Sequence, residues 1–117
     1  MTDFDYKKHS FEKRISESTK MLSKHPNSIC VIIEKSKNDK SIDEIDKHKY
    51  LIPKELTIGQ LLYVIRKRIH LTPEQAIFFY INNTLPSSST TIESLYNKFK
   101  DPDGFLYIRY TGENTFG

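Results

Sequence analysis

The sequence ICVII, residues 29–33, decides the fold of this chain. It contains three isoleucines and one valine, and polar residues flank it on both sides. β-Branched residues favour an extended backbone, and an uninterrupted apolar run of this length is typical of a strand that is covered on both faces. We therefore predict a central strand at this position, with other elements packed above and below it.

Three other segments have the composition of strands. They are predicted at residues 47–52, where Pro53 ends the strand, at residues 76–81 and at residues 105–110. Because side chains alternate between the two sides of a strand, the last strand should present two sets, Leu106, Ile108 and Tyr110 on one face and Phe105, Tyr107 and Arg109 on the other.

The main core helix is predicted to begin at Thr57. Thr57 and Gln60 match the capping pattern in which two side chains satisfy free backbone N–H groups at the start of a helix. Helical spacing then predicts one apolar stripe facing the core, formed by Ile58, Leu61, Leu62, Ile65 and Ile69. A second, shorter helix is predicted from residue 90 to residue 98.

Residues 3–25 also have helical spacing, with Ser10 as a candidate N-cap. Their apolar residues are too sparse for a core element, so we expect this segment to lie on the surface of the remaining fold. Pro26 and Asn27 separate it from the central strand.

The order of elements is helix, strand, strand, helix, strand, short helix, strand. This order predicts an α+β protein with a ubiquitin-like β-grasp fold, in which the last strand pairs in parallel with the first at the centre of a four-stranded mixed sheet with a crossing helix. Two additional N-terminal helices are expected. We predict a single domain over residues 1–117, with an N-terminal helical extension at 1–26, a β-grasp core at 27–110 and a flexible tail at 111–117. Such folds serve many functions, so the topology alone does not settle the function.

Composition narrows the classes of function. The 117 residues suffice for one domain, and 37% hydrophobic with 28% charged residues is typical of a globular protein. The net charge of +3 is milder than a nucleic-acid binder usually carries, although the basic run at residues 66–68 leaves that function as a weaker alternative. No apolar run approaches the ~20 residues of a membrane span, and the acidic start lacks a signal core. A single cysteine fits a reducing compartment, so we expect a cytosolic protein.

The sequence contains no pattern of catalytic or metal-binding residues. Cys30 lies within an apolar run and has no histidine motif beside it, so we expect a buried and inert thiol. The four histidines lack metal-ligand spacing, and the four glycines form no phosphate-binding loop. We therefore predict no metal and no cofactor.

Several strings of residues have a counterpart in one known family. They are FEKR (11–14), EK (34–35), EIDKHKYLIP (44–53), LTIGQ (56–60), VIRKRI (64–69), NNTLP (82–86), DGFLY (103–107) and GENTFG (112–117). Together they resemble the autophagy-related ubiquitin-like modifiers, the family that includes the GABA-receptor-associated protein. The resemblance covers nearly the whole chain in order, which makes it far more specific than any one motif.

The resemblance implies a protein that is conjugated rather than one that catalyses. In the family, a ubiquitin-activating-like enzyme activates the terminal glycine, a conjugating-like enzyme transfers it, and it ends as an amide on phosphatidylethanolamine in autophagosomal membranes. Gly117 would be that glycine and residues 111–117 the conjugation tail, with a cysteine protease for processing and delipidation. The protein would be a monomer before lipidation, located in the cytoplasm and, once lipidated, on autophagosomes and related vesicles. An adaptor or trafficking protein that is not conjugated but uses the same peptide groove remains the alternative.

The resemblance also implies a groove for aromatic-x-x-aliphatic peptides of cargo receptors and adaptors, bound as a strand added beside residues 47–52. The aromatic pocket would consist of Glu17, Met21, Cys30, Lys49, Leu51 and Phe105. The aliphatic pocket would consist of Tyr50, Ile52, Pro53, Leu56, Leu61 and Val64. The cations that attract an acidic flank of the peptide would be Lys47, Lys49 and Arg68.

Taken without the resemblance, the apolar members of these sets also fit an ordinary core, and the lysines fit a solvated face. Two positions depart from the family. Ser28 stands where the family usually has a basic residue, and Cys30 stands where it often has proline. Because of these two departures, the binding mode carries over from the family but its peptide selectivity does not.

Overall fold

The computed structural model describes residues 4–37 and 39–112. Its strands are β1, Ser28–Lys35; β2, Lys49–Pro53; β3, Phe78–Tyr80; and β4, Leu106–Thr111. Its helices are α1, Phe11–Lys24; α2, Ile58–Ile69; and α3, Ile92–Phe99, and a 3-10 turn, Tyr6–Lys8, precedes them. The predicted α+β fold with a four-stranded mixed sheet is confirmed.

The strands lie in the order β2-β1-β4-β3. β1 and β4 pair in parallel at the centre, with Val31 opposite Leu106, whereas β2 and β3 pair antiparallel at the two edges. The central position predicted for residues 29–33 is confirmed, because Cys30, Val31, Ile32 and Ile33 are wholly inaccessible to solvent.

One face of the sheet packs against α2 and α3. Thr57 accepts a hydrogen bond from the backbone N–H of Gln60, and the Gln60 side chain accepts from the N–H of Thr57, as the capping pattern predicts. The predicted apolar stripe of α2 and the predicted inner face of β4 meet here in one cluster, which includes Ile58, Leu61, Ile65, Ile69, Leu106, Ile108 and Tyr110.

The other face of the sheet carries α1 and the 3-10 turn. Ser10 caps α1 by accepting from the N–H of Lys13. As the sparse apolar pattern predicts, α1 lies on the surface, and its only buried residue is Ser18. The predicted second face of β4 also lies on this side, where Phe105 is buried and Tyr107 packs beside it.

Several predicted bounds were wrong. Ser10 starts α1, as its predicted role as an N-cap requires, and the first of the two expected N-terminal helices is only the 3-10 turn Tyr6–Lys8. β2 begins at Lys49 rather than at residue 47, and the chain further upstream, at Asp43 and Ile45, bonds to the Tyr110 hydroxyl at the end of the sheet. The third strand keeps only Phe78–Tyr80 of the predicted 76–81. The short helix begins after Thr91, which is its N-cap.

Candidate functional site

β2 forms one edge of the sheet. It hydrogen-bonds to β1 along one side, and no other strand within residues 4–37 and 39–112 pairs with it. An edge strand presents backbone N–H and C=O groups to which another extended chain can bond. The predicted edge position of this segment is therefore confirmed, and the two predicted pockets can be located relative to it.

The alternation of β2 divides the predicted pocket residues between the two faces of the sheet. Lys49 and Leu51 lie opposite Ile32 and Cys30 of β1, on the face that α1 covers. Tyr50 and Ile52 lie on the other face, where they belong to the cluster that α2 closes. The predicted aromatic set and the predicted aliphatic set thus stand on opposite sides of one strand.

The aromatic set is joined by a polar relay. The Nζ of Lys49 lies 3.1 Å from Oε2 of Glu17, and the hydroxyl of Tyr6 donates to the other carboxylate oxygen. The Tyr6 hydrogen bond and the Lys49 ammonium lower the pKa of Glu17. Met21 packs beside this relay, against the buried cluster of the α1 face. The charged pair of Glu17 and Lys49 therefore lies next to the apolar surface of Met21 and the buried cluster.

Two other members of the aromatic set are closed to solvent. Cys30 and Phe105 both have no exposed surface. The Cys30 thiol donates to the carbonyl oxygen of Gly104, and burial raises its pKa to about 11. The expectation of a buried thiol is confirmed. In this conformation the residues that a partner can reach are Glu17, Met21, Lys49 and Leu51.

The aliphatic set is also partly closed. Leu61 is 1% exposed and belongs to the core, whereas Val64, one turn further along α2, is 49% exposed. Tyr50 is largely buried, its hydroxyl has no hydrogen-bond partner among the described residues, and burial raises its pKa to about 12. Pro53 is exposed and Leu56 half-buried. The accessible apolar surface on this side is thus formed by Pro53, Leu56 and Val64.

The three cations predicted to attract an acidic flank are each engaged within the chain. Lys47 lies over the ring of Tyr50, with Nζ 5.2 Å from the ring centroid. Lys49 pairs with Glu17, and Nε of Arg68 lies 2.9 Å from Oδ1 of Asp46. At Lys49 and Arg68, an acidic partner would therefore exchange its own carboxylates for the internal ones, and exposed pairs of this kind contribute little stability.

Sequence reasoning missed the aromatic residues of the N-terminal segment. Phe4 stacks on the imidazole of His48 with ring centroids 3.6 Å apart. Together with Tyr6, His9 and the amino-terminal end of β2, they line a cleft of about 350 Å³ beside Lys49. No local pattern could have revealed it, because Phe4 and His48 are far apart in the sequence.

Gly117 and most of the predicted tail lie outside the described residues, of which Gly112 is the last. Within the described part of the chain, no cluster of histidine, cysteine or acidic side chains could hold a metal ion. No helix in that part combines the length and apolarity needed to cross a bilayer.

A family model described as "Autophagy protein Atg8 ubiquitin like" matches residues 13–117. The chain belongs to the Atg8 family of ubiquitin-like autophagy proteins. Autophagy-related protein 8 of Vanderwaltozyma polyspora is 53% identical over 109 residues, covering 93% of this chain and 92% of the relative. Autophagy-related protein 8A of Oryza sativa subsp. indica is 51% identical over 110 residues, covering 93% and 91%.

The fold of this Atg8 family member also matches a solved structure. The crystal structure of ATG8 from Trypanosoma brucei has a TM-score of 0.88 and 45% identity, and the match covers 98% of this chain and 99% of that one. The coverage includes both the sheet and the N-terminal segment. The resemblance noted from the sequence is therefore confirmed at the level of family and fold.

Proposed function

We propose that this protein is a ubiquitin-like modifier that is conjugated through Gly117 to phosphatidylethanolamine and recruits cargo receptors and adaptors to autophagosomal membranes. The observation that carries the recruiting part is the edge strand β2, with one accessible apolar set on each face of the sheet. Membership of the Atg8 family supports the conjugating part. In this role the protein is a modifier, not an enzyme.

The geometry of strand addition fits the proposed peptide class. In an extended peptide, side chains three residues apart point to opposite faces. A peptide that adds a strand beside β2 would therefore direct its aromatic residue toward Lys49 and Leu51 and its aliphatic residue toward Leu56 and Val64. Backbone hydrogen bonds would supply affinity, and the two apolar sets would supply selectivity.

Conjugation would supply the membrane attachment. The proposed reaction joins the carboxyl group of Gly117 to the amine of phosphatidylethanolamine as an amide, with ATP and ubiquitin-activating-like and conjugating-like enzymes providing activation and transfer. A cysteine protease would process and delipidate the product. Glycine suits this position because it has no Cβ to obstruct a narrow enzyme channel, and two acyl chains anchor a protein far more firmly than one. The conjugated form would sit on autophagosomes, and the free form in the cytoplasm.

A reconstituted lipidation assay tests the conjugating part. The full chain and a variant that lacks Gly117 are incubated with the two enzymes, ATP and liposomes containing phosphatidylethanolamine. The full chain should give a lipidated band and the variant should give none. Equal behaviour of the two proteins would refute conjugation and favour the alternative, an adaptor that uses the groove without being conjugated.

A peptide titration tests the recruiting part. Val64 and Leu85 are both 49% exposed, so they form a matched pair for substitution. Val64→Ala and Leu51→Ala should each weaken binding of an aromatic-x-x-aliphatic peptide about ten-fold, corresponding to about 1.4 kcal/mol. Leu85→Ala should leave the affinity unchanged. If all three variants bind equally well and their circular dichroism matches that of the unaltered chain, the groove assignment is wrong.

A further inference from the structure

The connection between β1 and β2 crosses the end of the sheet from which the carboxyl-terminal segment leaves. Since β1 and β4 are parallel, their carboxyl ends lie at the same edge. The N–H of Ser36 donates to the carbonyl of Tyr110 at 2.7 Å. The hydroxyl of Tyr110 accepts from the N–H of Ile45 at 2.7 Å and donates to the carbonyl of Asp43 at 2.8 Å. The connection between β1 and β2 therefore forms three hydrogen bonds with Tyr110, near the end of the last strand.

Asp39, in the same connection, forms further hydrogen bonds to Thr111, the last residue of β4, and to Gly112, the first residue after it. Its Oδ2 accepts from the Thr111 hydroxyl at 2.5 Å and from the backbone N–H of Gly112 at 3.0 Å. Its Oδ1 accepts from the backbone N–H and the hydroxyl of Ser41, at 2.8 and 2.6 Å. Although burial alone would raise the pKa of this carboxyl, the four hydrogen bonds lower it to about 2, so the group is ionised at neutral pH.

Gly112 fits closely against the same loop. A Cβ at this position would lie 2.5 Å from the Ser41 hydroxyl oxygen, whereas its next neighbours would be at 3.4 Å or more. A side chain at this position would push the Ser41 hydroxyl out of the place from which it donates to Asp39. Glycine therefore leaves the hydrogen bonds of both Ser41 and Gly112 to this carboxylate intact.

We infer that Asp39 is a positioning residue for the carboxyl-terminal segment, because its carboxylate holds Thr111 and Gly112, the residues to which 113–117 are joined. This inference rests on the proposed conjugation of Gly117. Five residues follow Gly112, so their reach is at most about 17 Å. With Gly112 held, a larger share of encounters with the activating enzyme place Gly117 at the reacting site.

Asparagine cannot replace the aspartate in this role. The two backbone N–H donors approach different oxygens of Asp39. Asparagine has a single acceptor oxygen, and its NH₂ group would face the other donor. In Asp39→Asn, either Ser41 or Gly112 therefore loses its acceptor. Asp43→Asn is the matched control, because it removes the same charge from the same connection. The Asp43 carboxylate accepts no hydrogen bond in the described part of the chain.

The first experiment measures the hydrogen bonds that Asp39 accepts from the backbone, and it does not depend on conjugation. Amide hydrogen exchange in the full-length protein should be about five-fold faster in Asp39→Asn than in the unaltered chain at Gly112, or at Ser41 if the asparagine turns its oxygen toward Gly112, the equivalent of one hydrogen bond. Exchange in Asp43→Asn should match the unaltered chain. Equal exchange rates in all three proteins would overturn the inference.

The second experiment measures the consequence for transfer to the activating enzyme. Asp39→Asn should lower kcat about five-fold and leave KM within about two-fold, because docking of the folded surface is unchanged while fewer docked tails are correctly placed. An unchanged kcat overturns the inference, as does a joint change of KM and melting temperature, which would reduce Asp39 to a residue of fold stability.

Failure of the proposed function would look different. If the unaltered chain is not converted at all, conjugation itself is refuted, while the exchange rate of Gly112 still decides whether Asp39 holds the segment. Gly112→Ala is the second variant, since its Cβ disturbs the same contact from the opposite side. It should reproduce the loss of kcat, and full activity of this variant would count against the inference.

Discussion

On the face of the sheet that α2 covers, the described residues bury nineteen hydrophobic side chains in one cluster, whereas on the face of α1 they bury four. The α1 face is closed instead by polar contacts. Nη1 of Arg14 lies 2.6 Å from Oδ2 of Asp103, the Ser18 hydroxyl donates to the Asp103 carbonyl, and the N–H of Tyr6 donates to Glu34.

The two kinds of closure have different physical properties. Burial of apolar surface is non-directional and ties all contributing residues into one cooperative unit. Hydrogen bonds and ion pairs are directional, and each can be broken by changing one group. We therefore expect the α2 face to unfold only with the whole domain, and α1 to open locally at a lower free energy.

The largest effect should come from the α2 face. Ile65 has no exposed surface, so Ile65→Ala should reduce the free energy of unfolding by about 3 kcal/mol. Leu22 of α1 is half-buried against the smaller cluster, and Leu22→Ala should cost about 1 kcal/mol. Chemical denaturation measures both values. Equal losses in the two variants would show that the faces do not differ.

The next largest effect should come from the ion pair that fastens α1. Arg14→Met leaves the buried carboxylate of Asp103 with its bonds from Tyr107 and Phe105 but without its cation. We expect a loss of about 2 kcal/mol. Native-state hydrogen exchange should show the loss in α1, with α2 still protected. Lys20→Met, on the exposed side of the same helix, should have no effect; an equal loss of protection in both helices would contradict local opening.

A change of pH should separate the two faces further. Hydrogen bonding by Tyr6 and pairing with Lys49 lower the pKa of Glu17, and Lys7 lowers that of Asp101 despite its burial. A lowered folded pKa stabilises the folded state above the unfolded pKa, and this stability is lost as pH falls below about 4.5. Protection of α1, corrected for the intrinsic exchange rate, should therefore decrease on acidification before that of α2 does.

The pKa of Glu34 is shifted in the opposite direction from those of Glu17 and Asp101, so its contribution to stability changes with pH in the opposite sense. Burial raises its pKa, so its contribution is present below the unfolded pKa and is lost as pH rises through the folded value. Glu34→Gln removes this compensation, and the loss of α1 protection on acidification should become steeper. A shallower loss in this variant would show that the assigned direction is wrong.

The smallest effect should come from the exposed pairs. The Lys7 side chain is 49% exposed and lies 2.7 Å from Asp101. Lys7→Met should change the free energy of unfolding by less than about 1 kcal/mol, and 1 M salt should abolish the difference. A larger change that persists in salt would assign this pair to the buried class of Arg14 and Asp103.

Local patterns were sufficient for most of the fold. The stripe and cap of α2 involve residues within one or two turns of each other, so helical spacing predicted them correctly. The apolar run at residues 29–33 and the alternation in β4 likewise identified a central strand and its two faces. The predicted amino-terminal end of β2 was wrong, because the strand begins where its pairing with β1 begins, at Lys49, and local alternation does not show how far that pairing extends.

The exposure and the pairing of the candidate-site residues were harder to predict from the sequence than the fold. The family resemblance placed Lys49 and Leu51 apart from Tyr50 and Ile52, but it could not show that Cys30, Phe105 and Leu61 are closed to solvent. It also could not show that the predicted cations already have partners in Glu17, Asp46 and the Tyr50 ring. Exposure and pairing depend on which distant elements meet, and no local spacing encodes that.

The sequence by itself determined the family, through strings of residues that resemble it along nearly the whole chain. It also determined the order of the elements and the apolar surfaces that drive the sheet and α2 together, because these follow from periodicities of two and 3.6 residues. Only the tertiary structure decided which polar contacts attach α1 and the connection between β1 and β2 to the sheet. Arg14 meets Asp103 across 89 positions and Asp39 meets Thr111 across 72. A single charged or polar residue has no periodicity, so its partner is defined only when the chain has folded.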